Sequence, residues 1–233
     1  INSVVALLIV IKYLGIPKLP NIKEIYDGLI YSIKVHALDF PVILENQIDV
    51  FVLFLISGSE NVGIYTVGVS LAQLFFYATN SISTVLFPSM AAKDNKRNSN
   101  NLNTLIYIFR LSFLLILIYG FLIIFLGESL IPLIFGEPFI NAYSITLILL
   151  PGVLSEICFR YLVIWFKSYG EVDYLAPIGI ISLSINISLI PLFYKYLGLN
   201  GVALVSTLTY TIRLLALIVL FNRTSSGQSL IKL

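Results

Sequence analysis

Apolar residues run along this chain in long blocks, separated by short stretches rich in glycine, proline or charge. Leu111 to Leu126 carries no charged residue, and neither does Asn61 to Ala92, which exceeds the span of a membrane-crossing helix. Such a helix needs roughly 20 apolar residues. Transmembrane strands would instead be blocks of about ten residues with alternating polarity. The runs here are continuous, so they predict helices. The blocks lie at 1–13, 25–57, 62–91, 104–126, 141–166, 174–194 and 199–221, the first too short to span unless it is the end of a truncated helix. Gly15/Pro17/Pro20, Gly58/Gly63, Lys93–Asn103, Gly127/Pro132/Gly136/Pro138, Gly170 and Gly198/Gly201 punctuate them. The expected fold is an all-α polytopic membrane helix bundle. Its parts are the truncated helix end at 1–13, a connector at 14–24, six spans within 25–222 and a tail at 223–233.

Composition agrees, with 58% hydrophobic and only 11% charged residues, where a soluble domain carries about 25% charged. The charges also orient the helices. One set of loops and helix ends, with the tail, carries Lys12, Lys18, Lys23, Lys93, Lys96, Arg97, Lys167, Arg223 and Lys232. The alternate set carries Lys195 alongside Glu60, Glu128 and Glu137. Positive loops stay cytoplasmic, which places the connector, the tail and the C-terminus inside, in a multi-pass protein of the cell inner (cytoplasmic) membrane.

No loop is long enough for a catalytic domain; the longest polar stretch, Lys93 to Asn103, is a connector. Cys158 is the only cysteine and His36 the only histidine, which excludes an intrachain disulfide, a multi-cysteine zinc site and a histidine cluster. No metal site and no other cofactor is expected, and the scattered basic residues give no reason to expect nucleic acid. The chain begins at Ile1 without a signal-peptide cleavage pattern and reads as the C-terminal part of a longer protein.

Candidate chemistry lies in the charges within the spans, where each costs about 2.5–3.5 kcal/mol on insertion scales and commonly marks a pathway. Lys34, Arg110, Arg160 and Arg213 all fall in the cytoplasmic halves of their helices by the topology above. They are expected to attract an anionic head group, with snorkelling to the interface as the plain alternative. Glu156 precedes Arg160 by one helical turn, so these two are also expected to neutralise each other. Arg110 and Arg213 have no acidic residue within a turn and are the stronger anion candidates. The first full span adds Asp39, Pro41, Glu45 and Asp49. Glu45 and Asp49 sit one turn apart, where two like charges in a low dielectric favour protonation of one. These carboxylates, with Asp39, are candidates for ion coupling or for lining a cavity; proton or sodium coupling is left open beside simple satisfaction by polar neighbours. His36 reads as a hydrogen-bonded interior residue. Gln73, Asn80 and Asn186 read as polar ties between helices.

Several stretches, in order and over essentially the whole chain, resemble the C-terminal half of polysaccharide-repeat-unit (O-antigen) flippases of the multidrug/oligosaccharidyl-lipid/polysaccharide exporter superfamily. They are Asn46-Gln47-Ile48-Asp49 with Gly63-Ile64-Tyr65-Thr66, Val85-Leu86-Phe87-Pro88, Leu133-Ile134-Phe135-Gly136-Glu137-Pro138-Phe139, Leu149-Leu150-Pro151-Gly152, Asn186 to Pro191 and Gly198 to Ala203. Gln47 stands where the resemblance leads one to expect an arginine, so Asp49 lacks that partner. The resemblance implies one lobe of a two-lobed exporter-type transporter. Its implied substrate is an undecaprenyl-diphosphate-linked oligosaccharide, flipped outward by alternating access for cell-surface polysaccharide synthesis. Membrane lipids and other polysaccharide-assembly proteins are the implied partners. A drug or lipid exporter of the same superfamily is the alternative, and a membrane glycan polymerase a more distant one. On either transporter reading the protein is not an enzyme.

Overall fold

The computed structural model describes residues 21–74, 76, 79, 81, 82, 84, 99–168 and 174–223. The expected helix end at 1–13, most of the connector, the loop cations Lys93, Lys96 and Arg97, and the tail beyond Arg223 lie outside the described residues. Two compact units are present, 1–37 and 38–233. The described part of the first is the N-terminal stretch of a single helix, in which His36 is exposed rather than interior.

Every described element is helical: α1 Ile22–Ser57, α2 Ser59–Ala72, α3 Ser99–Phe135, a 3-10 turn Glu137–Phe139, α4 Ala142–Ser168 and α5 Leu175–Arg223. Among the described residues three stretches are long and apolar enough to cross a membrane: Ile106–Phe135, Glu137–Ser168 and Leu175–Asn222. The chain is a helical, multi-pass membrane bundle.

Glycines set the breaks. Gly58 separates α1 from α2 at φ 81°, and Gly136 ends α3 at φ 97°, in the left-handed region that side chains other than glycine's resist. Gly198 interrupts α5 at φ 60°, ψ −142°. A Cβ on Gly201 would lie 2.2 Å from the Phe193 carbonyl oxygen, so only glycine lets the chain turn this tightly. Asn186 and Thr209, almost equidistant from Gly198, then meet at 3.3 Å. The α5 halves are thus a helical hairpin and account for the separate blocks at 174–194 and 199–221.

One expected break does not occur. Helix α3 runs on past 126, through Gly127 and Pro132, to Phe135. In an apolar setting an unpaired backbone is costly, and losing one hydrogen bond at Pro132 is the smaller penalty. Gly127 serves packing instead, since a Cβ there would stand 3.0 Å from the Tyr143 ring.

Helix α4 is central, packing on α2, α3 and α5. Its interfaces use small residues so that backbones can approach. A Cβ on Gly152 would stand 2.8 Å from Thr207 Cα, and one on Gly68 2.7 Å from Ile145 Cγ2. Hydroxyls join the same contacts: Thr207 Oγ1 donates to the Ile148 carbonyl at 2.7 Å, and Thr146 Oγ1 to that of Gly68 at 3.2 Å. Helix α3 is peripheral, with 17% of its apolar span buried. It is tied on by Ser112 to Tyr161 at 2.7 Å and by Tyr119 donating to the Leu71 carbonyl at 2.6 Å.

Candidate functional site: a buried charge network

Pro41, Glu45, Asp49 and Leu53 are buried at four-residue spacing along α1, which places them on one face of the helix. Two of the four are carboxylates, and both must find partners inside the bundle.

Glu45 is 1% exposed. Its Oε1 accepts from Ser182 Oγ at 2.7 Å, and its Oε2 is ion-paired to Arg213. The other terminal nitrogen of Arg213 pairs with Glu156 Oε2. Glu156 in turn meets Arg160 Nε with Oε1 at 2.8 Å. The result is an alternating row, Glu45, Arg213, Glu156, Arg160, with formal charges that cancel. It links α1, α4 and the second half of α5. Aromatic faces complete the surroundings: Arg213 lies 4.6 Å from the Phe159 ring centroid and 5.3 Å from that of Tyr210, and Arg160 lies 4.6 Å from Phe76. A guanidinium can both fork between carboxylates and stack on rings, which a lysine ammonium does less well. Arg213 Nε is buried without a hydrogen-bond partner.

Asp49 is satisfied in another way. Tyr65 OH donates to its Oδ2 at 2.7 Å, and Ser206 Oγ lies 3.4 Å from the same oxygen. The backbone N–H of Val50 donates to Oδ1 at 2.8 Å. Among the described residues its contacts are hydroxyls and an amide, with no cation among them. Close by, Asn186 donates to Thr209 Oγ1 while its own Oδ1 is buried with no partner.

These placements revise the expectations for single residues. Arg213 is not isolated: it is 1% exposed and held by two carboxylates from other helices. Spacing along its own helix could not reveal them. Arg160 makes the local pair with Glu156. Glu45 and Asp49, expected to share a site, turn to separate partners, because Arg213 takes Glu45 and two hydroxyls take Asp49. Arg110 is exposed on α3, away from the network. The side chains of Lys34 and Asp39, and the placement of Asn80, lie outside the described residues. Tyr65, Ser182 and Ser206 were not singled out as site residues; their only signal is a polar group within an apolar span. Among the described residues no three His, Cys, Asp or Glu side chains gather as a metal site would require.

Residues 1–233 match the family model described as Lipid II flippase MurJ. Comparison with curated proteins and with solved structures gave no match.

Proposed function

The chain belongs to the lipid II flippase MurJ family, and we propose on that premise that it carries lipid II, a lipid-linked sugar, from the inner to the outer leaflet of the cytoplasmic membrane. Members of the family are transporters, not enzymes. The observation that carries the reading is the family match over all 233 residues, on a chain whose described part is a membrane helix bundle. The finer assignment to repeat-unit flippases rests on motif order alone; the two readings share a mechanism and differ in the sugar carried.

In this mechanism the bundle moves as a body during alternating access, and the row from Glu45 to Arg160 holds α1, α4 and α5 in one arrangement. A row whose formal charges cancel lets four charges reside in the membrane interior without a net charge. Among the described residues Asp49 is left as the buried carboxylate without a cation, and it takes the coupling proton or sodium ion. That assignment is supported by its contacts, which are hydroxyls that donate to the ionised form and can turn when a cation arrives.

The test is complementation. The full-length protein that carries this chain should sustain growth of cells depleted of their own lipid II flippase. Restoration of O-antigen export, with no rescue of cell-wall synthesis, would transfer the assignment to repeat-unit transport.

A further inference from the structure

A groove of about 330 Å³ opens on the side of the bundle between α3, α4 and the second half of α5. Ile106 and Phe109 of α3, Leu162 of α4, and Leu214 and Ile218 of α5 line it, and among the described residues Arg110 is the one charged residue in its wall. Its volume falls at the lower end of small-molecule sites, roughly 300–1,000 Å³. We propose that this groove seats one acyl chain of an anionic glycerophospholipid of the surrounding bilayer, with the lipid phosphate on Arg110.

Placement supports that occupant: Arg110 lies within an apolar span of α3, and an arginine so placed reaches the phosphate level of a leaflet by extending its side chain.

Charge and position support it as well. Among the described residues Arg110 has no carboxylate or hydrogen-bond partner, unlike Arg160 and Arg213. A guanidinium at the edge of hydrocarbon without a counter-ion is a costly arrangement that a phosphate relieves. This end of the bundle also carries Lys167 and Arg223; basic pockets between helices on the cytoplasmic side are where anionic head groups are held. Helix α3 packs on α4 and the 3-10 turn and leaves most of its apolar face exposed, so bilayer lipid has direct access. The groove shares no residue with the Glu45–Arg160 row, and the lipid is a resident one, distinct from the transported substrate.

Native mass spectrometry of the purified protein, titrated separately with phosphatidylglycerol, phosphatidylcholine and lipid II, tests this. Wild type should retain phosphatidylglycerol over phosphatidylcholine, and Arg110→Ala should reduce phosphatidylglycerol binding about fivefold, the scale of one basic residue at a membrane surface. Arg110→Lys should keep most of the preference, and Leu162→Trp, which fills the groove, should lower retention of both phospholipids. Lipid II binding should be unchanged in Arg110→Ala. Equal retention of the two phospholipids by wild type overturns the proposal without any variant. Loss of lipid II binding with phosphatidylglycerol binding intact overturns it in favour of a substrate contact at Arg110.

Discussion

Replacing Arg213 by Met removes the centre of the buried row while roughly preserving its length. Glu45 then keeps only hydroxyl partners among the described residues, Ser182 and Thr209, whereas Glu156 keeps Arg160 at 2.8 Å. The row passes from neutral to a net charge of −1, and the stranded charge is on Glu45, which is 1% exposed. Breaking a buried pair by removing one partner costs about 3–5 kcal/mol, whereas replacing both partners by neutral groups is often close to neutral. Arg213→Met should therefore lose about 3–5 kcal/mol, and adding Glu45→Gln should restore most of it, since Glu156–Arg160 remains a complete pair. The assay is equilibrium unfolding of the purified protein in mixed micelles for wild type, both single variants and the double variant. The pairwise coupling from this cycle should exceed about 1 kcal/mol, well above the 0.3–0.5 kcal/mol additivity limit for independent sites. An Arg213→Met variant as stable as wild type, or a double variant no better than Arg213→Met, would refute the network.

Two further variants probe other features. Gly152→Ala should cost about 1–3 kcal/mol as an overpacked contact, because its Cβ would stand 2.8 Å from Thr207 Cα in the α4–α5 interface; thermal unfolding measures it, and a wild-type midpoint would contradict the close approach. Asp49→Asn should abolish cation-dependent flipping in vesicles while leaving the unfolding midpoint near wild type, since Tyr65 and Ser206 still have an oxygen to meet; unchanged flipping at every sodium concentration and pH would remove the coupling role.

Helices were legible in the sequence wherever a long apolar block carried its own evidence, as did the pair of blocks flanking Gly198. The extent of α3 was not, because Gly127 and Pro132 read as stops while in fact one makes room for Tyr143 and the other is absorbed by the helix. Within the site, the Glu156–Arg160 pair was visible because it lies within one turn. The partners of Arg213 were hidden: Glu156 and Glu45 are 57 and 168 residues away, and only the meeting of α1, α4 and α5 joins them. The hydroxyls at Asp49 were hidden for the same reason. A lone serine or tyrosine in an apolar run says nothing of which helix it will face.

Reconstitution tests the central claim most directly. Purified full-length protein would be placed in vesicles bearing fluorescent lipid II on one leaflet, and the fraction transferred to the other leaflet followed with a membrane-impermeant quencher. The account predicts transfer well above that of protein-free vesicles, loss of that transfer in Asp49→Asn, and no transfer of a phospholipid carrying the same fluorophore. Lipid II that stays on its original leaflet in the presence of folded protein would contradict it.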